Sequence, residues 1–211
     1  MYAFLIRHGK CAGNAERRYI GSTDDMLSPD GRAEAERVRK DLSVRKVFVS
    51  PMIRARDTAR ILFPNAEQIV LPDLRETDFG IFEGRNADEM ADDPAYRAWV
   101  DGGCTGRCPG GESRAEMQKR AVGAFTKAVL AEAGKSRAPA DKTDLPDGAP
   151  SDDPVFVIHG GVIMALMEAL CRPHRDFYDF HAPNLGGFRA ECVIESGSLS
   201  LRKPEFIDLR R

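Results

Sequence analysis

Tyr2-Ala3-Phe4-Leu5-Ile6-Arg7-His8-Gly9-Lys10 is the stretch from which the chain is read outward. Five aromatic and aliphatic residues run unbroken into Arg7-His8-Gly9, the pattern of a short strand buried on both faces and stopped by a glycine. Arg7 and His8 then emerge at the carboxyl end of that strand, the edge at which open α/β sheets bind their ligands. A guanidinium beside an imidazole there points to an anionic substrate and to a nucleophile, base or acid. A strand that merely stops at two polar residues would look the same, so the decision rests on the rest of the chain.

Val155-Phe156-Val157-Ile158-His159-Gly160-Gly161 repeats the pattern near the other end, with a helix expected from Val162 to Leu170. Lys46-Val47-Phe48-Val49-Ser50 is another buried strand, and Gln68-Ile69-Val70-Leu71 a third in chain order before the middle of the sequence. Ser28-Pro29-Asp30-Gly31 opens a helix running to about Leu42, with Ser28 as N-cap and Pro29 at the first helical position. Ser50-Pro51 repeats that signal ahead of a helix that carries Arg54 and ends at Pro64. Ser113 to Ala133 reads as a long helix with Met117, Ala121, Phe125 and Val129 on one side, and Phe188 to Leu201 as one or two further strands. Strands alternating with helices predict an α/β fold, a mainly parallel sheet with helices on both faces. Residues 1–211 are read as a single domain.

Two segments break the rhythm. Over about 79–112 the apolar period is lost and glycine, aromatics and charge dominate; this is expected to be a small inserted cap, with short helices at Asn86–Asp92 and Ala95–Asp101. Gly134–Asp153 holds Pro139, Pro146 and Pro150 among many aspartates and is expected to be a mobile surface loop, having too little apolar surface to repay its ordering entropy.

Composition narrows the function classes. The chain has 211 residues, 30% of them charged, with a net charge of −2, and no basic cluster. That argues against nucleic acid or a membrane surface as partner. No stretch is long enough for a signal peptide or a membrane span, and the five cysteines are an odd count; a cytoplasmic chain with reduced thiols is the expectation. Cys104 and Cys108 lack a second pair or spaced histidines, so no metal site is expected. Monomer and homodimer both stay open.

In the predicted sheet Arg7, His8, Arg54 and His159 leave the carboxyl ends of strands on the same edge. Taken singly, Arg54 reads as a solvated helix charge and His159 as a core histidine; together they form a pocket suited to a tetrahedral dianion. Guanidinium forks match phosphate oxygens and stay charged. The Gly160-Gly161 helix start adds backbone N–H donors. Without a Walker-type loop or an aspartate pair for a metal, catalysis falls to side chains, and a histidine can itself attack phosphorus. The neighbouring arginines keep its ring neutral. Glu76, just past a strand, offers a carboxyl for the leaving group.

Leu5-Ile6-Arg7-His8-Gly9, Ser50-Pro51-Met52-Ile53-Arg54-Ala55-Arg56-Asp57-Thr58-Ala59, Leu74-Arg75-Glu76 with Gly80-Ile81-Phe82-Glu83-Gly84, Pro109-Gly110-Gly111-Glu112-Ser113 and His159-Gly160-Gly161 resemble, in order, the motifs of the histidine phosphatase superfamily, which contains the cofactor-dependent phosphoglycerate mutases. The resemblance implies a phosphoglycerate mutase-like fold and a phosphomonoesterase acting without a cofactor on a small phosphorylated metabolite. It implies His8 as the residue phosphorylated in turnover, Arg7, Arg54 and His159 as the phosphate pocket, Glu76 as proton donor, and Asn14 and the Gly160 amide as further phosphate contacts. Gly21 and Glu83 are placed with the substrate-binding residues, and Glu83 competes with Glu76 for the role of acid. Arg7-His8-Gly9-Lys10, Tyr19-Ile20-Gly21-Ser22-Thr23-Asp24 and Asp78-Phe79-Gly80 look most like the α-ribazole phosphatase branch of cobalamin synthesis, which makes α-ribazole 5′-phosphate a candidate substrate. Phe79, Phe82, Tyr96, Trp99 and Arg107 would either wall the substrate or form the cap's own core. Cys11 stands where a threonine or serine is usual. A mutase is the alternative reading, weakened by the absence of the tryptophan that often follows the His-Gly motif. A non-catalytic binder of phosphorylated ligands is a third, against which the intact His8 and Glu76 set argues.

Overall fold

The computed structural model describes residues 1–38, 44–134 and 153–211. The expected end of the first long helix at Leu42 and nearly all of the expected 134–153 loop lie outside the described residues. Strands β1 (Tyr2–Arg7), β2 (Lys46–Val49), β3 (Glu67–Val70), β4 (Val155–Ile158), β5 (Cys171–Arg172), β6 (Gly186–Glu195) and β7 (Ser198–Asp208) form one mixed sheet in the order β3-β2-β4-β1-β6-β7-β5. β3, β2, β4 and β1 are mutually parallel where they pair; β6 pairs antiparallel with both β1 and β7. The sheet is mostly parallel, as its alternation with helices requires.

Helices α1 (Ala12–Ala15), α2 (Pro29–Val38), α3 (Ile53–Leu62), α4 (Pro94–Asp101), α5 (Arg114–Ala133) and α6 (Gly160–Leu170) accompany the strands, with short 3₁₀ turns at Pro72–Leu74, Gly80–Phe82 and Phe177–Phe180. The apolar strands divide their side chains by parity. Leu5, Phe156 and Ile158 pack with Met117, Phe125, Val129 and Leu166 of α5 and α6. Phe4, Ile6, Val155 and Val157 pack on the other face with Ala35 of α2 and Ala55, Ala59 and Leu62 of α3. Both faces are therefore covered over β1, β2 and β4, whose polar groups can reach solvent only at the strand ends; β3 is the half-exposed edge.

Two local expectations are corrected. Asn86–Asp92 is not a helix but a run of turns. Asn86 and Glu89 exchange side chain–backbone bonds as at a helix start, but the backbone that follows closes only three-residue turns, Met90 to Ala87, Ala91 to Asp88 and Asp93 to Met90, before Asp93 caps α4. Ser50 does not cap α3. The N-cap is Met52, and the first helical amide, Ile53, donates to the Asp24 carboxylate at 2.7 Å from a distant loop. The predicted strand region near the C-terminus is a longer hairpin, turned by Ser196 and Gly197 at φ 50° and 77°, the left-handed pair that a two-residue turn needs. In residues 79–112, Phe82, Met90, Tyr96 and Cys108 bury against one another, with Tyr19, Phe79 and Trp99 packed on them. The aromatics thus make a core of their own.

Candidate active site

β1, β2 and β4 end side by side, and their backbone carries the site. The His8 amide donates to the Ile158 carbonyl at 3.0 Å and the Ser50 amide to that of Val157 at 3.2 Å, so the three strand ends are locked in register just where the polar residues begin. Beyond β1 the chain is held from two sides. The Gly9 amide donates to the Thr58 hydroxyl of α3 at 2.9 Å, and Asn184 donates its amide nitrogen to the His8 carbonyl at 2.9 Å.

His8 is 3% exposed and His159 is fully buried, with ring centroids 5.0 Å apart. Nδ1 of His8 lies 2.7 Å from the carbonyl oxygen of Gly9. A carbonyl can only accept, so Nδ1 carries the proton and Nε2 keeps the lone pair. Burial first, then the Arg54 and Arg7 guanidinium groups, hold the His8 ring well below its ordinary pKa. His159 is depressed likewise, by burial, Arg54, His8 and Arg7. Both rings are neutral at physiological pH.

The arginines are anchored at their tips. Arg7 donates through Nη1 to the Ala182 carbonyl at 2.8 Å. Arg54, fully buried on α3, donates through Nη1 to the Thr23 carbonyl at 2.7 Å and through Nη2 to those of Gly21 at 3.0 Å and Ile20 at 3.3 Å. His159 Nε2 meets the Ser50 hydroxyl at 2.6 Å. Three buried nitrogens, Arg7 Nε, Arg54 Nε and His159 Nδ1, have no hydrogen-bond partner among the described residues. Buried polar groups are ordinarily satisfied. Cationic and imidazole nitrogens left over beside His8 suit an anion with several oxygens.

Glu76 enters the same corner from the loop after β3. Its Oε2 accepts the Gly161 amide at 3.0 Å and its Oε1 the Thr77 amide at 2.9 Å. Position 161 must be glycine for this: a Cβ there would come within 2.5 Å of the carboxylate. The Gly161 amide is therefore committed to Glu76, leaving Gly160 as the helix-start amide for a ligand, with the Arg7 guanidinium packed over its Cα. Asn14 sits on α1, where its oxygen accepts the Cys11 amide and the Asn184 carboxamide, each at 3.3 Å; its nitrogen is the end left for an anion. Cys11 is fully buried, and burial pushes its thiol pKa up.

Gly21 and Glu83 meet each other. The Glu83 carboxylate accepts the amides of Gly21, Ser22, Thr23 and Phe79 and the Thr23 hydroxyl, at 2.8–3.3 Å. Burial works to raise this carboxyl, but the Phe79 and Gly21 amides, the Thr23 hydroxyl and the Ser22 amide outweigh it and hold its pKa below the ordinary value. An ionised carboxylate saturated with donors is poorly suited to give up a proton. What Glu83 does is clamp the loop whose carbonyls hold Arg54. Gly21 lets that loop pass against the Thr77 carbonyl, where a Cβ would sit 1.7 Å away.

The sequence reading did not single out Ser50 as the partner of His159, nor Thr58, Asn184 and the Ala182 carbonyl. Ser50 stands at a strand end, the position that could have flagged it; the others bond across long sequence separations and leave no local signal. Among the described residues no group of three or more His, Cys, Asp or Glu side chains could hold a metal ion.

Known proteins resemble this chain in sequence and in fold. The family model of the histidine phosphatase superfamily (branch 1) matches residues 3–197. The Enterobacter sp. (strain 638) protein called probable phosphoglycerate mutase GpmB is 31% identical over 177 residues, which is 81% of this chain and 74% of that protein. The α-ribazole phosphatase structure from Shigella flexneri superposes with a TM-score of 0.73 at 25% identity, covering 96% of this chain and 95% of that one. A phosphoglycerate mutase structure from Thermus thermophilus gives 0.65 at 29% identity, covering 90% and 93%. The chain belongs to branch 1 of the histidine phosphatase superfamily.

Proposed function

We propose that this chain is a phosphomonoesterase that hydrolyses a small phosphorylated metabolite through a phosphohistidine on His8. The observation that carries the reading is the Nδ1–H bond from His8 to Gly9, which leaves Nε2 unprotonated among the unpartnered nitrogens of Arg7, Arg54 and His159. The phosphoryl oxygens take those donors, together with the Asn14 nitrogen and the Gly160 amide. His8 Nε2 attacks phosphorus, the P–O bond to the alcohol breaks, and Glu76 gives its proton to the departing oxygen. Water then attacks the phosphohistidine, Glu76 takes back a proton, and inorganic phosphate leaves. Charge on the phosphoryl group is offset by the two fixed arginines, which supply the electrostatic stabilisation a metal supplies elsewhere.

The substrate is read as α-ribazole 5′-phosphate or a close relative, in keeping with the Arg7–Lys10 and Tyr19–Asp24 motifs and with the name of the Shigella flexneri neighbour. Residues 79–112 act as the cap, with their aromatics spent on the cap's own core. All five cysteines are free thiols, which fits the cytoplasmic setting we assign. No helix among the described residues is long and apolar enough to cross a membrane. The mutase reading has its own support in the name of the Enterobacter relative. One set of assays separates the readings. Purified protein should release phosphate from phosphomonoesters, α-ribazole 5′-phosphate foremost, and substrate labelled on phosphorus and quenched in base should leave an acid-labile label that His8→Ala removes. Phosphoglycerate interconversion that depends on 2,3-bisphosphoglycerate and exceeds hydrolysis would establish the mutase instead. Ligand binding with no label would make the chain a binder.

A further inference from the structure

Arg120 lies on α5, outside the phosphate pocket, yet all five N–H donors of its guanidinium are used. Nε donates to Glu112 Oε1 at 2.6 Å and Nη2 to Glu112 Oε2 at 2.7 Å, a bidentate pair whose two side chains are each 12% exposed. Nη1 donates to the carbonyls of Asp73 and Arg75, both at 2.7 Å, and Nη2 also to that of Glu76 at 2.9 Å. Five donors on a planar fork, each with its own acceptor, is the most that an arginine can do. Glu112 completes the bracket from the other side: its Oε2 accepts the Asp78 amide at 3.2 Å, and its own amide donates to the Asp78 carbonyl at 2.8 Å. Residues 73, 75, 76 and 78 are thus fixed through one ion pair, on both sides of the Glu76 side chain.

We propose that Arg120, paired with Glu112, is a positioning residue for the proton donor: it sets where the Glu76 carboxyl stands relative to the leaving oxygen and has no part in holding the phosphoryl group. The inference rests on the reading of Glu76 as general acid. The division of labour follows from the contacts. Arg7 is anchored by the Ala182 carbonyl, His8 by Gly9, Arg54 by the loop of Ile20 to Thr23, and His159 by Ser50. None of those anchors involves Arg120 or Glu112. Glu76, by contrast, hangs from a backbone held by Arg120, and its carboxylate reaches the site through single bonds to the Gly161 and Thr77 amides. Lysine at position 120 would keep the charge with three donors on one atom, too few and too close together to hold three carbonyls and a carboxylate.

The test is kcat/KM, which reports steps up to phosphorylation of His8, across esters whose leaving groups range from alcohols to p-nitrophenol. Positioned acid catalysis is worth about 10²–10⁴-fold where the leaving group needs a proton and little where it does not. Arg120→Lys should therefore lose about 100-fold on alkyl phosphates and less than about threefold on p-nitrophenyl phosphate, with vanadate affinity within about twofold of the parent. Glu112→Gln should show the same slope, and it carries the test if Arg120→Lys fails to fold. Added to Glu76→Gln, the lysine substitution should cost nothing further on alkyl phosphates, as expected for residues acting through one group. A loss uniform over the series, no loss, or full additivity with Glu76→Gln would overturn the inference. If Glu76→Gln alone shows no dependence on the leaving group, the reading of Glu76 as acid falls instead, whatever Arg120 does.

Discussion

Two carboxyls of one loop, Glu76 and Glu83, have opposite surroundings. Glu76 accepts one amide on each oxygen beside the His159 helix start; Glu83 accepts five donors and is held ionised. The sequence offers both as acids seven residues apart, and nothing local tells them apart, because the donors that saturate Glu83 come mainly from residues some sixty positions upstream. Arg7, His8 and His159 were legible for the converse reason: each stands where an apolar strand stops, and strand ends can be read from hydrophobicity alone, whereas Arg54 lies in the first turn of the helix that follows β2. Asn184, Thr58 and Arg120 could not be read, since their bonds to the site span separations that no short motif contains. Glu83 then predicts its own phenotype. Glu83→Gln turns an acceptor oxygen into a donor facing backbone N–H groups, and a hydrogen bond to a charged group is worth about 1.5–3 kcal/mol. The freed loop would carry the Arg54 anchor with it. Vanadate should bind about tenfold or more weakly, and kcat/KM should fall by a similar factor whatever the leaving group. Unchanged vanadate affinity in isothermal titration would show that Arg54 keeps its place without the clamp.

At the scale of elements, β4 is an inner strand of the sheet, parallel to β1 on one side and β2 on the other. Phe156 at its middle is fully buried, stacked on Phe48 at 4.9 Å and tilted against Phe125 of α5 at 4.7 Å. It joins a sheet face to a helix, so truncation cannot be absorbed by a shift of one neighbour. Phe156→Ala should cost about 3–5 kcal/mol in urea unfolding. A cost under about 1 kcal/mol would mean that the helix layer collapses onto the gap. Strands such as β1 and β4 were plain in the sequence because an unbroken apolar run has few other uses. The ends of elements were less so. Ser50 carries the composition of a cap, but its hydroxyl meets the His159 ring at 2.6 Å and accepts only the Met52 amide at 3.3 Å, ahead of the helix. Asn86–Asp92 has helix-forming Ala, Glu and Met and even the capping pair of Asn86 and Glu89, yet its backbone makes three-residue turns and the helix starts only after Asp93. In both cases a capping side chain is in place, and only the fold decides where the helix starts.

For the whole molecule, building this site means burying two imidazoles and two guanidiniums together, and the histidines have to stay neutral for the protein to hold them. Both rings have folded pKa values below the ordinary 6.5. Once unfolded, each ring would bind a proton as pH falls through 6.5; folded, it does not. The unfolded state therefore gains protons that the folded state refuses, and stability falls as pH drops below about 6.5, by up to about 1.4 kcal/mol per pH unit for each ring. The depressed carboxyls of Glu83 and Glu112 act in the same direction only at lower pH, where carboxyls of ordinary pKa begin to protonate. Between pH 6.5 and 5 the histidines should dominate the slope. Urea unfolding of the ligand-free protein at pH 7, 6 and 5 should show stability decreasing across this range. His8→Gln, whose side chain fills the space without titrating, should flatten the slope by up to about 1.4 kcal/mol per unit. The same depression predicts that the nucleophile remains unprotonated on this acid limb, so that the folded fraction keeps its rate of His8 phosphorylation to pH values where a free imidazole would have lost it. If the His8→Gln slope matched the parent's, the ring would be titrating near 6.5 in the folded protein, and the arginines beside it would have to be farther away or better screened than the structure has them.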